Sequence, residues 1–376
     1  MVNLSLIDTL VLSGGSLKGY SYIGVFKRLT EMGIIHQIKR VFACSVGCIF
    51  ALLLILGYDI DNMIRVSCIT DTNQIYSFDI KSFLTEYGFC NCEGLKNLLG
   101  KFFLEKSLPV TCTFQQLFEF SNINFIVNAT CVNNMCTEYF DHTNNPDMEV
   151  LKAIQMSVAL PILFTRVTHK DKYYVDGGLL DNLPIPIING PTERDRILAI
   201  DLIETNSQKA DVENLSLTQY VLLLINCVMN RYNTIKEKLY YPNFNIIRIS
   251  VRVNLLIFKL EKEEILKLVM IGYNQSGYYL SFWSQKDKLT TEKPKKILRI
   301  SVSTGTTVTT DTTGTNTNKK DDASASTAPT APTVPTVPTV PTVPTVPTVP
   351  TVPTVPQAPW YSGNGPPKKV TISKTK

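Results

Sequence analysis

The apolar segment Leu6–Ser13 runs directly into Gly14 and Gly15, and past Gly19 the residues Tyr22, Ile23, Phe26 and Leu29 recur at helical spacing. This junction limits the fold more than any other feature of the chain. The segment has no room for a helix before its glycines, so it reads as a strand, and Gly33 is placed to end the helix that follows. The order then repeats, with a second strand at Val41–Cys44 and a second helix running to Leu56 and closed by Gly57. Strand–helix–strand–helix order implies a parallel sheet with helices on its faces. Further strands are expected at Phe125–Cys131, Ile197–Leu202 and Ile246–Val251, and helices at Val150–Val158, Leu217–Tyr240 and Glu261–Ser281. The last of these carries Ile265, Leu268, Val269 and Gly272 along one face, as a helix covering the same domain would.

Residues 41–58 run 18 positions without a charge, the short limit for a membrane span. A strand followed by a buried helix has the same hydropathy, and Ser45 and Gly47 suit the turn between them. The second apolar run, Tyr220–Asn230, is too short to span. With no N-terminal signal peptide, the expected location is cytoplasmic, without a transmembrane segment. The nine cysteines form no CxxC pair and, with the histidines, no zinc spacing. They read as free thiols in a reducing compartment, and no metal or cofactor is expected.

The pattern stops after about residue 286. Thirteen of the 21 prolines lie in residues 301–376, and from Pro332 the triplet Pro-Thr-Val repeats through Pro356. Proline at every third place favours an extended polyproline II strand, about 3.1 Å per residue and so roughly 75 Å long, with no core. The chain therefore divides into a folded domain over 6–285, a Ser/Thr-rich linker over 286–331, the repeat over 332–356 and a basic tail over 357–376. The repeat reads first as a stiff spacer, with a decorated stalk or a docking site for a proline-reading partner as minor readings. The net charge is +5, most of it in the tail, and no basic stripe marks the front, so nucleic-acid binding is not expected.

Three runs carry chemistry. In Ala43-Cys44-Ser45-Val46-Gly47, a serine stands between strand and helix with small residues two before and two after, as a sharp turn that lifts a hydroxyl out of a sheet requires. In Ser13-Gly14-Gly15-Ser16-Leu17-Lys18-Gly19, successive N–H groups at a helix start make a site for an anion. A dinucleotide fingerprint fails there because Ser16 replaces its middle glycine, and a Walker loop fails because Lys18 precedes the last glycine. The third run, Asp176-Gly177-Gly178, follows the apolar Tyr173-Tyr174-Val175 and would alone be an ordinary turn.

Taken together, and in this order, the runs resemble the patatin-like phospholipases. The family's oxyanion loop is similar to Ser13–Gly19, its nucleophile elbow to Ala43–Gly47 and its Asp-Gly-Gly motif to Asp176–Gly178. The flanks agree: Cys131–Asn134 leading to Glu138–Phe140 resembles a family strand pair, and Ala153–Pro161 the helix before the aspartate. The resemblance covers residues 6–285 and is closest in flavour to members carried by large DNA viruses. Ala43 departs from the family's glycine, and so does Ser16 at the third loop glycine. The resemblance implies a three-layer α/β/α fold with a mainly parallel central sheet. It also implies a lipid acyl hydrolase with Ser45 as nucleophile, Asp176 as proton acceptor and Gly14, Gly15 and Ser16 as oxyanion donors. Lys18 would hold the loop or a phosphate head group, or stand solvated. The substrate would be a phospholipid or lysophospholipid, reached by peripheral contact with a membrane surface. Only His36, His142 and His169 are present and none follows Asp176, so a triad in the chain order Ser, Asp, His is impossible. A rival reading keeps the fold as a weak or inactive lipid-surface binder, and another makes the chain a tether through its Pro-Thr-Val arm.

Overall fold

A computed structural model describes residues 3–70, 80–186, 188, 190–204, 215–240, 243–251 and 260–285. The linker, repeat and basic tail, and with them the proline-reading partner, lie outside the described residues.

The chain runs β1 (Thr9–Leu12), α1 (Ser21–Glu31), β2 (Arg40–Ala43), α2 (Val46–Ile55), α3 (Ile60–Ile69), α4 (Ile80–Glu86), β3 (Gly88–Cys90) and α5 (Glu93–Glu105). It continues through α6 (Phe114–Ser121), β4 (Asn124–Cys131), β5 (Cys136–Phe140), α7 (Val150–Val158), β6 (Ile162–Phe164), β7 (Val167–His169) and β8 (Lys172–Asp176). Then come α8 (Gly178–Asp181), α9 (Pro191–Arg194), β9 (Ile197–Glu204), α10 (Leu217–Tyr240), β10 (Asn245–Val251) and α11 (Lys262–Gln285). Strand β1 is shorter than expected, because Leu4–Leu6 forms a 3-10 turn capped by the Asn3 side chain. The charge-free run 41–58 divides at Ser45 into β2 and a ten-residue helix. Among the described residues no helix is long and apolar enough to cross a membrane. The stretch from Ile60 to Ser121 carries α3–α6 and β3, elements that periodicity does not announce.

The main sheet follows the hydrogen-bonded succession β10-β9-β1-β2-β4-β8-β7, with β5 also on β4. Pairing is parallel from β10 through β4 and antiparallel where β4 meets β5 and β8 and where β8 meets β7. The register around β4 decides the position of the site. Val127 lies opposite both Ala43 of β2 and Phe140 of β5, while Ala129 lies opposite both Asp176 of β8 and Glu138 of β5. Because β5 occupies one edge of β4 from Val127 to Cys131, where both β2 and β8 also pair, β2 and β8 must share the other edge, one running with β4 and one against it. Their C-terminal ends therefore meet head-on, and the residues just past Ala43 face Asp176.

Side chains alternate across the sheet. Leu10, Leu12, Val41 and Ala43 enter a large core with α1, α2, α7 and α11, while Val11, Ile197, Ala199 and Ile246 pack with Leu183 and Ile185 on the other face. Helices thus cover one face broadly, and the other carries the chain following α8, with α10 packed on α8. Helix α11 covers α1 as its apolar face predicts. A Cβ on Gly24 would lie 1.9 Å from the Val269 carbonyl and one on Gly272 2.0 Å from that of Ser21, so the two backbones cross in direct contact.

Candidate active site

The turn after β2 holds Ser45 at φ 50° and ψ −126°, a conformation that non-glycine residues adopt only under constraint and that costs on the order of 1–3 kcal/mol. Two hydrogen bonds fasten it, from Gly47 N–H to the Cys44 carbonyl at 2.8 Å and from Cys48 N–H to that of Ser45 at 2.9 Å. A serine at a helix N-cap ordinarily caps that helix with its hydroxyl. Here the Ser45 hydroxyl makes no capping bond and instead donates to Asp176 Oδ2 at 2.6 Å. Gly47 is required by close approach, since a Cβ there would sit 2.8 Å from the carbonyl oxygens of Leu12 and Ser13. Ala43 is a fully buried strand residue paired with Leu12 and Val127, and an extended backbone makes no demand for glycine.

Asp176 ends β8 almost fully buried. Its second oxygen accepts the Gly178 N–H at 2.7 Å, and its own carbonyl accepts the Thr130 hydroxyl at 3.0 Å. Burial pushes its carboxyl up to about 6, partly offset by the hydrogen bonds from Ser45 and Gly178. The last turn of α7 holds the two ends together. The Ser157 hydroxyl accepts the Ser45 N–H at 2.8 Å, while the carbonyls of Ser157 and Ala159 accept the N–H groups of Gly177 at 3.2 Å and Asp176 at 2.9 Å. Gly177 lies against Asn128, and Gly178 against Asn182 and Asp176.

The glycine loop arches over Ser45, with a Cβ on Gly14 falling 3.1 Å from that of Ser45. Tyr22 donates its hydroxyl to the Ser13 carbonyl at 2.6 Å, and the Ser13 hydroxyl accepts the Leu202 N–H at 2.9 Å, fixing the loop between β1 and β9. The loop opens a 3-10 turn, Ser16–Tyr20, ahead of α1 rather than the helix itself. The Gly14 N–H donates to the Asn182 carbonyl at 3.1 Å, which removes it from the expected donor set. The N–H groups of Gly15 and Ser16 have no acceptor among the described residues. Gly15 lies against Leu202 and Gly19 against Val46 and Phe50. Ser16 sits at φ 51°, a left-handed conformation that glycine would adopt without strain.

Gly14, Gly15, Ser16, Ser45, Asp176 and Asn182 line one cavity of about 470 Å³, whose apolar wall includes Ile49, Leu53, Leu99, Phe102 and Leu163. Lys18 lines it too and is only 7% exposed, so the solvated-lysine reading is overturned. Among the described residues its ammonium makes no hydrogen bond or ion pair. Burial pulls its pKa down, opposed by the charges of Glu204 and Asp201. Asp181, the last residue of the short helix α8, is buried and pairs with Lys236 and the Tyr139 hydroxyl. Among the described residues no cluster of histidine, cysteine or acidic side chains could hold a metal ion.

Residues 10–188 match the sequence profile of the patatin-like phospholipases. They form a patatin-like phospholipase domain. Two relatives come from large DNA viruses, as the resemblance implies. The uncharacterized protein R571 of Acanthamoeba polyphaga mimivirus is 26% identical over 274 residues, 70% of this chain and 90% of that protein. The probable lipid hydrolase 463L of Invertebrate iridescent virus 6 is 29% identical over 189 residues, 48% of this chain and 62% of that protein. Among solved structures, VipD of Legionella pneumophila aligns over 73% of this chain and 67% of its own at a TM-score of 0.48 and 19% identity. ExoU of Pseudomonas aeruginosa aligns over 73% and 53% at 0.43 and 16%.

None of the three histidines lines the cavity of the patatin-like domain. His36 is exposed in the 3-10 turn Ile35–Gln37. His142 is half-buried, stacked on Phe118 with a 2.8 Å contact to Asn124, and His169 is half-buried at the end of β7. Sequence reasoning missed the positions of Ser157 and Asn182. Ser157 lies in a run that the resemblance picks out and Asn182 four residues past the Asp176–Gly178 motif, but only the folded chain turns the hydroxyl of one under the elbow and the carbonyl of the other onto Gly14.

Proposed function

We propose that this chain hydrolyses ester bonds of phospholipids or lysophospholipids through a Ser45–Asp176 dyad and an acyl-enzyme. The observation that carries the reading is the 2.6 Å hydrogen bond from the Ser45 hydroxyl to Asp176, made inside an apolar cavity beneath two unused loop N–H groups. A carboxyl raised to about 6 is a stronger base than an ordinary carboxylate yet is mostly ionised at neutral pH. Asp176 takes the Ser45 proton as Oγ attacks the ester carbonyl. The N–H groups of Gly15 and Ser16 receive the oxyanion, and the departing alcohol takes the proton from Asp176. Water, deprotonated by the same carboxylate, then frees the fatty acid and restores Ser45. The apolar wall suits the acyl chain, and the buried Lys18 ammonium suits the phosphate, which favours a phospholipid over a neutral ester.

The test is labelling with a fluorophosphonate, followed by peptide mass analysis and an ester-hydrolysis assay. The expected adduct is on Ser45, and Ser45→Ala should abolish both label and turnover without loss of fold. Labelling that persists in the variant would assign the nucleophile elsewhere. A folded wild-type chain that neither labels nor hydrolyses would support the non-catalytic lipid-binding reading.

A further inference from the structure

Helix α10 is amphipathic in the wrong sense for a helix packed on a soluble domain. Leu222, Asn226, Met229, Asn233 and Lys236 face the cavity, and Asn233 and Lys236 tie the helix to Asn182 and Asp181. The outer side carries Tyr220, Leu224, Val228, Tyr232, Ile235 and Leu239, exposed by 43, 47, 70, 47, 43 and 68%. At about 100° per residue these six fall within roughly a third of the circumference, opposite the cavity side, in a stripe roughly 28 Å long. A helix on a water-soluble domain ordinarily turns such a stripe inward.

We infer that the outer face of α10 is the surface by which the domain seats on a lipid bilayer. Three features select that occupant. The exposed cations Arg231 and Lys238 fall within or beside the arc and no acidic residue does, the pattern of a helix lying in a lipid head-group layer. Tyr220 and Tyr232 occupy its two borders, where amphipathic rings favour an interface. The helix is also the wall between that face and the cavity that Ser45 lines, so a bilayer on the stripe lies against the outer wall of the site that a lipid substrate must reach. The inference rests on the lipid-hydrolase reading for the choice of occupant, but its test does not need turnover.

The experiment uses the full chain carrying Ser45→Ala, floated with phosphatidylcholine vesicles with and without phosphatidylserine. Binding is expected, strengthened by phosphatidylserine. Leu224→Glu and Val228→Glu should each weaken it about tenfold or more, while Val228→Trp should hold or tighten it. In the Ser45-intact chain the Glu variants should lose vesicle hydrolysis and keep turnover of a monomeric short-chain ester, which also shows that they are folded. Absence of parent binding, or Glu variants that bind like the parent, overturns the proposal. A parent dimer that becomes monomeric in the Glu variants with vesicle binding unchanged also overturns it, in favour of a second copy of the chain. Vesicle binding without any ester turnover would leave this surface standing and remove the catalytic reading instead.

Discussion

The two halves of the main sheet deliver their contributions to the site by different means. The parallel half supplies Ser45 and the glycine loop from turns within two residues of β2 and β1, and each turn is shaped by its immediate neighbours. The antiparallel half supplies Asp176, which reaches Ser45 only because β8 abuts β2 on one edge of β4. A local device fixes its residue by backbone conformation and close contact, as Gly47 shows. A long-range one fixes it by register, and the end of α7 then fastens the two ends together. The difference teaches where each half is vulnerable: the serine side to backbone crowding, the aspartate side to changes of charge and protonation.

The sharpest break is Asp176→Asn, which keeps the shape of the antiparallel side and removes its basicity. Ester hydrolysis should fall about 10³-fold or more, read as kcat/KM on a soluble ester. In the wild-type chain kcat/KM should drop as pH falls through about 6, because the base must be ionised, and this limb should vanish in the variant. Stability should move the other way. A folded pKa of about 6 against an ordinary 3.8 gives stability that is full below about pH 4 and lost as pH rises through about 6. The amide should therefore raise the stability at pH 7, by up to about 3 kcal/mol less the cost of one altered hydrogen bond. Denaturant melts at pH 4 and pH 7 test the sign, and a variant less stable at pH 7 than the wild type would contradict it.

Lys18→Met probes the loop of the parallel half. Phospholipid hydrolysis should fall about 10–100-fold and that of a neutral ester by no more than about threefold, since a buried charge-assisted contact is worth about 1.5–3 kcal/mol. Equal losses on both substrates would make Lys18 a support of the loop. Ser157→Ala loosens the tie between the halves. It should cost about 1–3 kcal/mol in a melt and lower kcat about tenfold, because the Ser45 N–H loses its acceptor. Unchanged kcat would mean that the elbow holds its shape without α7. The smallest effect should come from replacing His36, His142 and His169 together with Gln or Asn. Turnover should stay within a few-fold of the wild type, and a folded variant that loses about 10⁴-fold would restore a histidine base.

The same contrast explains what could be read in advance. The strands and helices near the glycines are legible because turn residues and periodicity act within a few positions. Helices α7 and α10 fall at their expected bounds for that reason. The two departures from the family pattern look alike in sequence, both small residues in place of glycine. The structure separates them, for Ala43 is an ordinary buried strand residue while Ser16 holds a left-handed turn. Lys18 looks like a solvated loop residue until β9 brings Asp201 and Glu204 beside the cavity that it lines. Likewise, nothing in the stretch Cys131–Phe140 reveals that its hairpin leaves one edge of β4 free for two strands.

The sequence by itself determined the strand–turn–helix units, the candidate nucleophile and the absence of a histidine where a Ser, Asp, His order would need one. These follow from steric rules and residue order, which act along the chain. Only the tertiary structure decided that Asp176 reaches Ser45, that Gly14 is already bonded to Asn182 while Gly15 and Ser16 are not, and that α10 turns its apolar side outward. Each of those depends on which residues, distant in the chain, share a strand edge, a carbonyl or a cavity wall, and such pairings are fixed by packing rather than by local preference.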